Sequence, residues 1–465
     1  MRNLSASRLS RTLAFFAPLI IGLFSTGECA YAQSIDVIRD TEIERVLHSY
    51  EDPLLKAAGL DPSSVKLYLV NDSSINAFAT QSPASSETED IFVNAGLIIQ
   101  LKSPNQVIGV LAHETGHIAG GHMIRDVAAM RKAMVPMLIG LAVGIAAMVA
   151  GGGEAGMGAI ILGEQAAQAQ FFQFSRAQEA TADQMGQKYL LATHQSGRGM
   201  LEVFGQFARE EAQIQELYPN TPLISDHPAS RERIDALQQL VDTSPYKDVK
   251  DSPEVVHQFR LIQAKLAGYL SKPETVLMRY PVSDTSTEAR YARAMAYFRK
   301  PDMQKALAEA NSLVQEEPKN PYFWELLGQI HVDMSQPDKG IGPYQKSVDL
   351  LRDAPLLRIS LAAAQLATER PAMVKPALDN LKIALDQEND NTFGWYEAAQ
   401  AYSDAGNDAM ANLATAELDY TVGNYQAAQH FAMLAQHKLP AGSRDWQRAT
   451  DILAVAGTNL DRHKR

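Results

Sequence analysis

Cysteine is nearly absent from this chain: Cys29 is the only one among 465 residues. It falls in an N-terminal stretch where Arg2, Arg8 and Arg11 flank the start of an apolar run from Leu13 to Phe24, and Ala30-Tyr31-Ala32 supplies an A-x-A cleavage signal. This pattern predicts a secretory leader over residues 1–32, with Gln33 first in the mature chain. The run of 12 residues is too short for a comfortable membrane anchor, and Thr26-Gly27-Glu28 is a poor lipidation signal ahead of Cys29. A mature chain without cysteine folds without disulfides, even in an oxidising compartment. Positive charge is also scarce. Taking Arg2, Arg8, Arg11 and Glu28 from 42 basic and 54 acidic residues leaves 39 and 53, a net −14. An acidic surface of that size argues against nucleic acid as a partner. With 46% hydrophobic and 21% charged residues the composition is globular, and the length asks for two or three domains.

Against these absences stands one dense local pattern, His113-Glu114-Thr115-Gly116-His117, a match to the H-E-x-x-H zinc-protease signature. On a helix, positions i and i+4 share a face, so both imidazoles reach one metal. Glu114, beside the first histidine, stands where a general base is needed. Ser103-Pro104 reads as an N-cap and first helical residue, and the apolar run Val107 to Ala112 carries the motif into a core, in a helix expected over about 104–132.

Two histidines leave a catalytic zinc one protein ligand short, and three later residues compete for the place. His122 lies near the slot of a third histidine in a longer motif, but misses it by one residue, where Met123 stands. Glu179 and Asp183 sit one turn apart on a helix expected over about 164–191. Glu179 suits the ligand and Asp183 a place behind it, accepting the N–H of a ligand imidazole. His227, in the loop Ser225-Asp226-His227-Pro228, suits either the open metal position at rest or the polarisation of a transition state, with Arg231 and Arg233 close behind as further transition-state support.

Ala133 to Gly153 is a 21-residue stretch without charge. Its length would cross a bilayer, yet a single crossing would part His117 from Glu179. The expectation is a buried or re-entrant hairpin beside the site, a plain core helix, or contact of residues 133–163 with a membrane surface.

Short strands are expected at 65–70, 76–79 and 91–93, and a helix at 230–241. From about residue 290 the pattern becomes helical repeats. Trp324, Leu327, Gly328 and His331 fit the W-x2-L-G-x2-Y opening of a tetratricopeptide repeat (TPR), with Gly340 and Tyr344 in its second helix. The register reaches back 34 residues to Ala294, Tyr297, Ala306 and Pro318 and, after a three-residue slip, forward to Trp395, Ala398, Ala399 and Tyr402. Stacked pairs of this kind build a concave surface for peptides or proteins.

Taken together, His113-Glu114-x-x-His117, Glu179-x-x-x-Asp183 and His227-Pro228 with Arg233-Ile234 resemble the HtpX and CAAX-prenyl-protease type of metallopeptidase. Secretion plus a C-terminal repeat domain resembles its periplasmic branch. The motifs span about residues 70–240 and the architecture nearly all of the mature chain. The resemblance implies one zinc per chain on His113, His117 and Glu179, Glu114 as general base, Asp183 behind the ligands, and His227 as a regulatory or transition-state group. It also implies quality control of outer-membrane proteins, with the repeats docking to the assembly machinery, and a strand at 76–79 that pairs with extended substrate. The expected fold is mainly α with a small β-sheet: a gluzincin-type α+β metallopeptidase domain over 33–245, a linker over 246–287 and an all-α TPR solenoid over 288–462. The competing reading is a periplasmic chaperone or adaptor in which the repeats do the main work.

Overall fold

The computed structural model describes residues 36–81, 89–122, 134–139, 141–143, 153–217, 227 and 230–463. The expected leader lies outside the described residues. The chain enters through a two-residue strand β1 (Val37–Ile38) and helix α1 (Thr41–Ala58). Asp40 caps α1, its side chain accepting the Ile43 N–H, and Gly59 closes it in the left-handed conformation at φ 78°. Strands β2 (Leu67–Val70), β3 (Ala77–Gln81) and β4 (Glu89–Asn94) complete a four-stranded sheet among the described residues, in the order β1-β2-β4-β3. β2 runs parallel to β4, with Leu67 opposite Ile91, and β3 runs antiparallel to it, with Ala79 opposite Ile91. Alternation divides the two faces. Leu67, Leu69, Ala77, Ala79, Ile91 and Val93 turn into the core. On the opposite face Tyr68, Phe92 and Phe78 stack across three strands, with centroids 5.0 and 5.2 Å apart.

Behind the sheet, α2 (Ala95–Gln100) leads into the motif helix α3 (Pro104–Gly120). Ser103 occupies its N-cap position but forms no side-chain cap bond. The helix ends well before residue 132. Gly121 takes a left-handed conformation (φ 58°), and its N–H bonds to the carbonyls of His117 and Ile118. α3 lies against α4 (Gly153–Ala192) and α5 (Arg198–Leu217), with α6 (Arg231–Thr243) closing the group. The α3–α4 approach is close enough to require glycine: a Cβ on Gly116 would stand 2.7 Å from the Ala182 carbonyl oxygen.

The stretch expected to be a linker is two helices, α7 (Pro253–Leu270) and α8 (Pro273–Arg279). Pro253 and Pro273 are first-turn residues, where proline starts helices instead of breaking them. α7 belongs to two cores at once. Phe259, Ile262 and Leu266 join the core beneath the sheet and α3, while Leu261 and Ala264 join the first core of the repeats.

Five helix pairs follow: α9–α10 (Thr287–Arg299, Met303–Glu316), α11–α12 (Pro321–Asp333, Pro337–Leu350), α13–α14 (Pro355–Leu366, Pro371–Gln387), α15–α16 (Thr392–Asp404, Asp408–Thr421) and α17–α18 (Tyr425–Lys438, Arg444–His463). The signature residues pack as the pattern predicts. A Cβ on Gly328 would meet the Tyr344 ring at 2.7 Å, and one on Gly340 would meet the Gly328 carbonyl oxygen at 2.9 Å. Trp324 Nε1–H donates to the Pro318 carbonyl (2.9 Å), as Trp395 Nε1–H does to that of Asn389 (2.8 Å). The three-residue slip is absorbed by α14, which has 17 residues where α10 and α12 have 14.

The repeats fold back on the start of the chain. Tyr291 Oη donates to Glu42 (2.8 Å), and Lys265 Nζ pairs with Asp40 (2.5 Å) and Glu42 (3.3 Å). Beside this cluster lies a cavity of about 480 Å³, its lining shared by Arg39, Ile43, Lys265, Tyr291, Tyr322 and Glu325. Further out, Arg39 pairs with Glu388, Arg45 with Asp353 and Lys66 with Asp390.

Candidate metal centre

His113 and His117 face one point from successive turns of α3, their Nε2 atoms 3.0 Å apart. Glu179 comes from α4, with Oε2 3.3 Å from His113 Nε2 and Oε1 3.3 Å from His117 Nε2. His227 completes the group, its Nδ1 standing 3.3 Å from His113 Nε2 and 3.2 Å from Glu179 Oε1. Two ring nitrogens in contact share at most one proton, and here a third nitrogen and a carboxylate oxygen point to the same place. A tetrahedral metal ion with bonds of about 2.0–2.1 Å sets its donor atoms roughly 3.3 Å apart. The edges of 3.0 to 3.3 Å match that figure. The donor set therefore fits a metal ion.

Partners behind the donors hold them in place. Asp183, one turn beyond Glu179, stands 3.0 Å from His113 Nδ1. Arg233 from α6 donates to both Asp183 oxygens at 2.8 Å and pairs with Glu179 Oε2 at 2.9 Å. Its guanidinium also lies 5.6 Å from the Phe204 ring, and that ring meets His113 edge-on at 4.8 Å. Arg233, expected as transition-state support, thus pairs with the two acids behind the donors. Arg231 is exposed in the first turn of α6.

The field of the site is one that welcomes positive charge. Burial opposes the His113 imidazolium, but Asp183 and Glu179 outweigh it and raise the pKa to about 10. His227 is raised too: burial opposes its charge, and Glu114 and Glu179 overcome that. Burial works against the charge of Glu179, yet hydrogen bonds from His113, His117 and His227 drive its carboxyl far below the usual range. Asp183 is lowered as well, burial yielding to His113 and Arg233.

Glu114 faces the cluster from the strand side. Its Oε2 accepts the Ala79 N–H of β3 (3.0 Å), and its Oε1 lies 3.4 Å from His227 Nε2. Beneath it, Glu51 of α1 is 1% exposed, and burial together with the nearby Glu114 pushes its carboxyl well above the usual range. His122 is not among the converging donors. The turn at Gly121 brings it back against the far side of His117, Nδ1 to Nδ1 at 3.0 Å.

The charge-free stretch is no core helix where it is described. Met134, Val135, Met137, Leu138, Ile139, Leu141 and Val143 are exposed, as are Met157, Ile161 and Leu162 of α4. Among the described residues no helix is long and apolar enough to cross a membrane.

Sequence reading missed Glu51, Phe204 and the clamping role of Arg233. Phe204 lies on α5, a helix the reading passed over. Its apolar positions Met200, Leu201, Val203, Phe204 and Phe207 carry a helical spacing that was there to be found.

Comparison with known proteins agrees with this geometry. Residues 39–241 match the model of Peptidase family M48. The chain is similar to the Beta-barrel assembly-enhancing protease of Escherichia coli (strain K12), 22% identical over 425 residues, covering 88% of this chain and 82% of that protein. The Yersinia pestis protein of the same name is 21% identical over 378 residues, covering 80% and 75%. Metalloprotease LoiP of Escherichia coli (strain K12) is 31% identical over 186 residues, covering 40% of this chain and 66% of that one. Among solved structures, YrrB, described as a TPR protein with an unusual peptide-binding site, aligns over 37% of this chain and 89% of its own at 19% identity and TM-score 0.31. The convergent donors, Glu114 beside them and the segment 39–241 that matches Peptidase family M48 lead to one conclusion: the chain is a metallopeptidase followed by an array of helical repeats.

Proposed function

We propose that this chain is a periplasmic zinc endopeptidase that cuts misassembled outer-membrane proteins, its repeats docking it to the assembly machinery. The observation that carries the hydrolytic part is the convergence of His113, His117, Glu179 and His227 on one point beside Glu114. One zinc is held by His113, His117 and Glu179, a donor set that suits that ion. When bound, zinc supplies Lewis acidity to the scissile carbonyl. Glu114 takes the proton of the attacking water and later returns it to the leaving amine. Asp183 fixes the His113 ring, and Arg233 keeps Asp183 and Glu179 ionised and in register. His227, whose Nδ1 stands among the donor atoms, could serve as a further donor at rest and, displaced by substrate, would place its imidazole to face the developing oxyanion. Strand β3 lies at the edge of the sheet beside Glu114 and offers its backbone to an extended substrate.

The cellular assignment is supported by the names of the relatives, which extend over three quarters or more of their length, and by the expected leader. The acidic surface favours protein over nucleic acid as partner. The apolar side chains exposed at 134–143 and on α4 support contact with a membrane surface. Flotation with lipid vesicles tests that part: Leu138→Asp with Ile139→Asp should abolish it, and a wild-type chain that stays at the bottom of the gradient would end the idea.

The hydrolytic reading is tested on purified mature protein offered an unfolded outer-membrane protein. Wild type should cleave it, whereas Glu114→Gln should keep its zinc and leave the substrate intact. Normal cleavage by Glu114→Gln overturns the assignment. A second reading, a chaperone or adaptor, is favoured by His227 standing among the donor atoms, 3.3 Å from His113 Nε2 and 3.2 Å from Glu179 Oε1. Full rescue of a deletion strain by Glu114→Gln would support it.

A further inference from the structure

We propose that His122 is a positioning residue for the metal centre: its Nδ1 accepts the Nδ1–H of His117 and holds that ring in the tautomer whose Nε2 faces the other donors. The inference rests on the reading that His117 Nε2 is a metal ligand. The two Nδ1 atoms are 3.0 Å apart, and the rings meet edge to face at 4.9 Å and 83°. His122 is 2% exposed. A nitrogen–nitrogen contact of that length holds one proton. A ligand nitrogen must be free of its proton, so the proton of a neutral His117 ring resides on Nδ1 and points at His122. His122 then receives it on Nδ1 and carries its own proton on Nε2.

The backbone is built for this contact. On a continuing helix, a residue five places after His117 would lie about 140° round the axis and face away. The left-handed Gly121 ends α3 and folds the chain back. A Cβ on Gly120 would stand 2.5 Å from His122 Nε2, so a larger residue there would push the ring off its seat. Gln178, next to Glu179 on α4, donates to the His122 carbonyl (3.1 Å) and ties the returning turn to the helix that carries the third ligand.

The two histidine ligands are thereby backed in unlike ways. His113 leans on an ionised carboxylate that Arg233 clamps, whereas His117 leans on another imidazole. Partners of this kind, bonded to the far side of a ligand histidine, are worth about 10–100-fold in metal affinity.

Zinc affinity is measured on the full mature chain by competition with a chromophoric chelator, alongside thermal melts of the metal-free proteins. His122→Ala should bind zinc about 10–100-fold more weakly. His122→Asn, which restores an acceptor of similar reach, should recover most of the loss. Equal zinc affinity in wild type and His122→Ala overturns the inference, as does His122→Asn binding as weakly as His122→Ala while their melts coincide. A wild-type chain that takes up no zinc overturns the reading of the site as well, so the two failures are told apart.

Discussion

Two clusters of buried carboxylates lie in this molecule, and they solve the same problem differently. At the junction, Glu42 has been taken out of water with the half-buried Asp40 beside it, and the chain supplies the compensating cation itself. Lys265 Nζ meets both acids and lies 6.0 and 5.7 Å from the ring centroids of Tyr291 and Tyr322. Burial still pushes Glu42 up, and raises nearby Glu325 to about 7. At the metal centre, Arg233 pairs with Asp183 and Glu179, and the inner side of Glu179 looks at three imidazole nitrogens that converge on one point. The first cluster is closed on itself and holds parts together. The second directs its donor atoms at a common point, where a metal ion would displace the protons they share. Buried charge alone therefore does not mark a functional site; donor atoms converging on one point do.

The sharpest way to break this contrast is at Glu114, which touches the open cluster without belonging to its donor set. Glu114→Gln should lower peptide hydrolysis by about 10²–10⁴-fold while the metal content measured by atomic emission stays at the wild-type level. Metal lost along with activity would mean that Glu114 belongs to the donor set after all.

At the closed cluster the effect should appear in stability. Lys265→Met strands two acids and should cost about 3–5 kcal/mol in urea unfolding, with part of the loss recovered by adding Glu42→Gln. An unchanged midpoint would show that water already reaches Asp40 and Glu42.

Smaller effects test the scaffold on either side. Gly328→Ala forces a Cβ to within 2.7 Å of the Tyr344 ring and should cost about 1–3 kcal/mol in thermal unfolding with the metal centre untouched. The smallest concerns His257 on α7, which bridges Glu288 and Glu317 at 3.1 Å each. Burial opposes its charge, but the two acids raise its pKa above 6.5. A raised pKa contributes stability that is full below the unfolded value and fades as pH climbs through the folded one. His257→Ala should therefore lower the unfolding midpoint below pH 6.5, by less than about 1 kcal/mol for so exposed a pair, and leave it unchanged in alkaline buffer. A gap that widens with rising pH would reverse the sign and reject this account.

Much of this was legible in the chain because spacing carries geometry. The i, i+4 histidines, the Glu179–Asp183 pair and the repeat register each translate into one face of one helix, and even the three-residue slip became a longer α14. What was not legible depends on contacts distant in sequence or on one backbone dihedral. β1 has two residues, too few for any periodicity, and exists because β2 offers it a partner. Arg233 read as transition-state support behind a loop histidine, since nothing local says that it pairs with Asp183, 50 residues earlier. His122 missed the slot of a longer motif by one residue, and a helix carried to residue 132 would have turned it away from His117. One positive φ at Gly121 moves it to the opposite side of His117. The linker expected over 246–287 holds Pro253 and Pro273, and in a first helical turn proline starts structure.

That former linker sets how the whole chain melts. Because α7 is a wall common to two hydrophobic interiors, neither can open without exposing the other through Phe259 and Ile262 on one side or Leu261 and Ala264 on the other. Peptidase and repeats should thus behave as one cooperative unit, with a single calorimetric transition. A gene cut anywhere between residues 253 and 270 would release two halves, each with an open wound where the helix had been.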